Sequence, residues 1–222
     1  MTDIDELVGQ PAQAIVESGS GALMLVVGSR GVGAFAAMVL GSVSRYAVSH
    51  ASCPVVVVRD EPPSPYRHVA VGLGDLDNCA DALTFAFEDA ALRKARLTVI
   101  LAWYAPQADV SRAGDPFTAP GGNLAELEAS QQLEALLSNW RAKYPDVRVH
   151  QDVVHGHPAR ADLVVIGRHA RHPGWPGPGA VRHAVLNHAH GPVATVPLGL
   201  TARSDAGPGI SRCWRPVPEN VL

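Results

Sequence analysis

A self-similarity inside the chain constrains its fold more than any other feature. Gly9-Gln10-Pro11-Ala12 returns as Gly156-His157-Pro158-Ala159. The apolar run at residues 22–28 returns at residues 161–167, each time ending in glycine (Gly28, Gly167). The stretch at residues 46–55, ending Pro54-Val55, returns at residues 183–193, ending Pro192-Val193. A period of this kind means one structural unit used twice. The first copy carries only the back half of what the second copy spans.

The local patterns name the elements of that unit. Residues 23–27 and Val55–Val58 are short, branched and non-alternating, as buried parallel strands are. Between them, residues 39–49 have helical spacing, with Val39, Val43 and Ala47 on one face, and residues 11–18 predict a helix with proline in its first turn. Residues 60–67, rich in proline, read as a linker. Beyond it, strands are expected at 68–73, 97–102, 147–153, 163–166 and 193–196. Helices are expected at 78–94, 124–144 and 181–189, with Leu133, Leu136, Leu137 and Trp140 on the core face of the second. Strands separated by helices imply an α/β fold, a mainly parallel sheet with helices on both faces. The expected organisation is one and a half tandem units: residues 1–59 as the back half of a unit, 68–198 as a second unit, and 199–222 as a flexible tail.

Composition excludes several classes. The chain has 222 residues, of which 47% are hydrophobic and 18% charged, enough apolar material for a core. A net charge of −3 argues against a nucleic-acid binder. Three scattered cysteines (Cys53, Cys79, Cys213) form no disulfide framework, and no apolar run reaches the ~18 residues that span a bilayer. With an acidic start that lacks the order of a signal peptide, the expectation is a cytoplasmic protein without a membrane partner. Arginine greatly outnumbers lysine, present only as Lys94 and Lys143, which points to a GC-rich bacterial genome.

Chemistry concentrates after the first strand. Gly28-Ser29-Arg30-Gly31 is followed by nine residues and then Gly41-Ser42. Glycines let backbone amides approach a ligand, and the helix that follows presents unpaired N–H groups and a positive dipole end. The hydroxyls of Ser29, Ser42 and Ser44 and the charge of Arg30 are candidate phosphate contacts.

This run, a buried strand, then Gly-x-x-Gly-x9-Gly-Ser, then Ser44-x-x-Ala47-x-x-His50-x-x-Cys53-Pro54-Val55, resembles the universal stress protein family. The resemblance is continuous from Val26 to Val58, and residues 68–198 resemble a second, degraded copy. It implies an adenine nucleotide alpha hydrolase-like, Rossmann-like fold, with five parallel strands per complete unit. It implies ATP as ligand, with or without Mg²⁺ held by the phosphates alone. Gly28, Gly31, Gly41 and Ser42 would cradle those phosphates, with Ser29, Arg30 and Val43 as flanking contacts. The family often pairs through its last strand, so the Val55–Val58 edge is expected to serve a homodimer or packing between the copies.

Departures accompany the likeness. The family's first strand ends in an aspartate that contacts the nucleoside. The first copy has no such strand, and the second has Gly74 at that place, with Asp75 and Asp77 beside it. The second glycine loop has Ala170 for its second glycine and is interrupted by Pro173, Pro176 and Pro178. Ten histidines, among them His155, His157, His169, His172, His183, His188 and His190, have poor spacing for a metal site. No nucleophile elbow or Walker A lysine occurs. The function expected is ATP binding or sensing in a stress response, with at most slow hydrolysis; the alternative is a structural or dimerisation remnant that binds no nucleotide.

Overall fold

A computed structural model describes residues 3–29, 40–59, 67–74, 76–101, 122–153, 161–168, 180–189 and 191–200. The elements run α1 (Pro11–Ser18), β1 (Leu25–Gly28), α2 (Ser42–His50), β2 (Val55–Val58), β3 (His68–Leu73), α3 (Ala80–Arg93) and β4 (Arg96–Leu101). They continue with α4 (Gly122–Lys143), β5 (Val149–Val153), β6 (Leu163–Arg168), α5 (Ala180–His188) and β7 (Val193–Pro197). Every described element coincides with an expected one, with shifts at the ends. The first strand runs two residues later than its apolar start, and α2 begins after Gly41, three residues past Val39, which lies outside the described residues.

The strands form one seven-stranded sheet in the order β1-β2-β7-β6-β3-β4-β5. All neighbours are parallel except β2 and β7, which pair antiparallel through Val55↔Thr195, Val56↔Ala194 and Val57↔Val193. The repeat alignment sets Val55 against Val193, so Val56 is the counterpart of Ala194. These two are the residues paired at the middle of the seam. A local two-fold axis therefore passes between them, relating the last strand of one copy to that of the other.

Of the two uses expected of the Val55–Val58 edge, the structure shows packing between the copies. β2 has β1 on one side and β7 on the other, so within this chain the edge is closed by the second copy and is not open to a homodimer partner. β3 lies between β4 and β6, so the strands at His68–Leu73 and Arg96–Leu101 join the second copy.

Both sheet faces carry a core, which is why the strands do not alternate in hydrophobicity. On one face α3 and α4 bury Val69, Val71, Leu83, Phe87, Leu97, Val99, Leu133 and Leu137. On the other, Ala47 and Val48 of α2 and Leu186 of α5 pack on Val55, Val57, Val164, Ile166 and Val193. Leu136 and Trp140 are partly buried against the first cluster, Trp140 stacking on Phe87 with ring centroids 5.6 Å apart. The first copy offers no helix to that same face of its two strands among the described residues. Val26 is accordingly 58% exposed and Val58 38% exposed. At Gly191, before β7, a Cβ would lie 2.8 Å from the Ala161 carbonyl oxygen, so glycine is needed for the close approach of these two chain segments.

Candidate anion site at the start of α2

The site is built where β1 hands over to α2. The Ser29 amide donates to the Val58 carbonyl at 2.8 Å, carrying the β1–β2 ladder one residue past the strand. The Gly41 amide donates to the Ser29 carbonyl at 3.0 Å, so the chain returns to the point where it left the sheet. Arg30 and Gly31, with the rest of 30–39, lie outside the described residues. The other five expected site residues, Gly28, Ser29, Gly41, Ser42 and Val43, are brought together at the carboxyl end of a parallel strand. That is the end at which open α/β sheets bind ligands.

Gly41 is the N-cap of α2, with φ −60° and ψ 157°, and its carbonyl accepts from the Arg45 amide at 2.9 Å. Among the described residues no side chain caps the helix, and its first turn carries no acidic residue. Among the described residues, no hydrogen bond engages the amides of Ser42 and Val43. A helix start in this state is short of acceptors, and its dipole adds a fraction of a positive charge. The Ser42 side chain is exposed beside these amides. The arrangement can hold a phosphate or another oxyanion.

Ser44 does not take the part expected of it. It is buried, and its hydroxyl donates to the Gly28 carbonyl at 2.5 Å, tying the first turn of α2 to the end of β1. Its oxygen therefore faces the protein and not a ligand. Arg45 was not anticipated in the sequence: its Nη2 donates to the Leu40 carbonyl at 3.0 Å, holding the end of the loop against the helix. Both roles depend on the loop closing on itself, which no local pattern encodes.

Among the described residues no strand pairs with β1 on the edge away from β2. In the second copy, Gly74 and Asp77 are exposed at the carboxyl end of β3, while Asp75 and residues 169–179 of the degraded loop lie outside the described residues. His188 is exposed near the end of α5; His155, His157, His169, His172 and His190 fall outside the described residues, as does the side chain of His183. Among the described residues no group of three His, Cys, Asp or Glu side chains converges as a metal site would require. None of the described helices is long and apolar enough to cross a membrane.

A family model described as the universal stress protein family matches residues 2–59 and 65–197. The chain belongs to the universal stress protein family. A universal stress protein of Mycobacterium tuberculosis H37Rv is 36% identical over 207 residues, covering 84% of this chain and 62% of the relative. The chain thus spans less than two thirds of the length of that curated relative. Among solved structures, a putative universal stress protein of Pseudomonas aeruginosa UCBPP-PA14 has a TM-score of 0.57 at 18% identity, covering 86% of this chain and 69% of that one. This places both in one Rossmann-like α/β fold. A universal stress protein of Archaeoglobus fulgidus, solved in complex with dAMP, has a TM-score of 0.41 at 20% identity, covering 60% of this chain and 98% of that one. The nucleotide there is that protein's ligand.

Proposed function

We propose that this universal stress protein binds an adenine nucleotide, ATP as the leading candidate, through Gly28, Ser29, Arg30, Gly31, Gly41, Ser42 and Val43, and acts as a sensor in a stress response. The observation that supports this reading is the uncapped start of α2, where the amides of Ser42 and Val43 lie beside a strand-ending glycine. The phosphates supply the acceptors that the helix lacks, and Mg²⁺, if it accompanies them, is held by the phosphates alone. The chain's own part is to orient a polyanion; nothing in the reading requires hydrolysis, and the proposed setting is the cytoplasm.

Equilibrium binding of labelled ATP tests the reading, with Ser42→Pro as the variant. Proline is tolerated at the first helical position, and Gly41 already has the extended backbone that a residue before proline prefers. The substitution removes one amide and one hydroxyl while leaving the helix in place. Saturable binding that is competed by inorganic tripolyphosphate and weakened about tenfold or more in the variant is expected, a loss equal to ~1.4 kcal/mol.

That among the described residues no strand pairs with β1 on the edge away from β2 favours a second reading, in which these residues are a structural or dimerisation remnant that binds no nucleotide. No ATP binding in either protein would select it.

A further inference from the structure

The carboxyl end of α2 carries a contact that anion binding at its other end does not use. Arg168, the last residue of β6, reaches out of the second copy, and its Nη1 donates to the Ala51 carbonyl at 2.7 Å. Ala51 is the C-cap of α2. Helix carboxyl ends present unsatisfied carbonyls and negative partial charge, so a guanidinium there is favourable. The reverse contact also exists: Arg59, directly after β2, donates to the Leu186 carbonyl in the last turn of α5. Each copy sends an arginine to the carboxyl end of the other copy's helix.

The repeat alignment gives the first of these contacts its meaning. Gly28 and Gly167 are counterparts, so Arg168 stands where the first copy has Ser29. Ser29 stays within its own loop, bonded to Val58 and Gly41. In the second copy the backbone at this position stays in β6 opposite Pro197, and the long Arg168 side chain reaches the first copy. Burial, and then repulsion from Arg182, push the Arg168 pKa down, so the contact is held in a crowded cationic setting.

We propose that Arg168 is a positioning residue for the anion site of the first copy, a strut that fixes α2 from its carboxyl end. A helix of nine residues is about 13 Å long and is marginal on its own. Besides the apolar packing of Ala47 and Val48, α2 is tied by Ser44 bonded to Gly28 at one end and by Arg168 bonded to Ala51 at the other. The inference rests on the reading of the α2 start as an oxyanion site. Arg59 is the internal control, since it makes the same kind of bond to α5.

The test uses the full chain with Arg168→Ala, Arg168→Lys and Arg59→Ala, read by amide hydrogen exchange and by ATP binding. Arg168→Ala is expected to speed exchange in the last turn of α2 about tenfold and to weaken ATP binding about threefold to tenfold, as loss of one charge-assisted bond would. Arg168→Lys should recover most of both losses. Arg59→Ala should speed exchange in α5 and leave α2 and ATP affinity unchanged. If Arg168→Ala does not fold, Arg168→Gln carries the same comparison. Unchanged α2 exchange, or equal effects of the two alanine variants on α2, overturns the strut. Absence of ATP binding in the unsubstituted chain overturns the functional reading instead, and the exchange pattern still decides on the strut.

Discussion

At the scale of single residues, Glu88 of α3 is placed against its own charge. Its Oε2 is buried and has no hydrogen-bond partner among the described residues. Burial raises its pKa from the ordinary carboxylate range, and the nearby Lys143 charge and a hydrogen bond from Tyr144 only partly offset this. A carboxyl whose folded pKa lies above its unfolded one binds more protons in the native state, so stability falls as pH rises through that window. Glu88→Gln removes the penalty. The variant is expected to unfold at higher urea than the natural protein at pH 7, and the gap should shrink to nothing or reverse below about pH 4, where both states of the natural side chain are protonated. An equal gap at both pH values would mean that desolvation of the charge is not the cause. Asp89, next along α3, is buried too, and burial likewise raises its pKa, but both of its oxygens accept from Arg93 Nε at 2.9 Å. The contrast between the two neighbours lies in the partner available.

At the scale of elements, the junction of β1 with α2 decides what the site can do. The Ser44 hydroxyl is the one side-chain bond between the start of α2 and the end of β1 among the described residues. Ser44→Ala leaves the Gly28 carbonyl without that donor in a part-buried place, and is expected to cost about 1–3 kcal/mol in urea denaturation. Because the bond sets the distance between strand and helix, the same variant should also weaken ATP binding, whereas a loss of stability with full affinity would separate Ser44 from the site. α3 stops at Lys94, which takes the left-handed conformation at φ 52°, a place usually given to glycine.

At the scale of the whole molecule, the antiparallel seam between β2 and β7 joins the two repeat copies into one sheet. Ala194, paired with Val56 at the middle of the seam, is fully buried in the core under α3. Ala194→Asp would place a charge there with no partner, and is expected to cost more than about 3 kcal/mol. Because the sheet is continuous, Trp140 fluorescence in the second copy and exchange protection of α2 in the first should be lost in a single urea transition. Protection of α2 that outlasts the fluorescence change would show that the copies fold separately. The same seam removes β2 from the surfaces open to a partner, while the outer edge of β1 and the exposed Val26 and Val58 leave the far end of the sheet unfinished among the described residues.

The local elements, the family and the place of the glycine loop are legible in the amino-acid order alone. Those features are written in short-range patterns: branched runs at Val55–Val58, helical spacing in α3 and α4, and glycines at 28 and 41. The remainder follows from how distant segments pack. That β2 is an interior strand depends on a pairing across about 140 residues with β7, which no local pattern reports. That Ser44 bonds to Gly28 depends on loop closure, and Arg168 finds its acceptor 117 residues away at Ala51. A side chain's type limits which bonds it can make; the packing of distant segments determines which of them form.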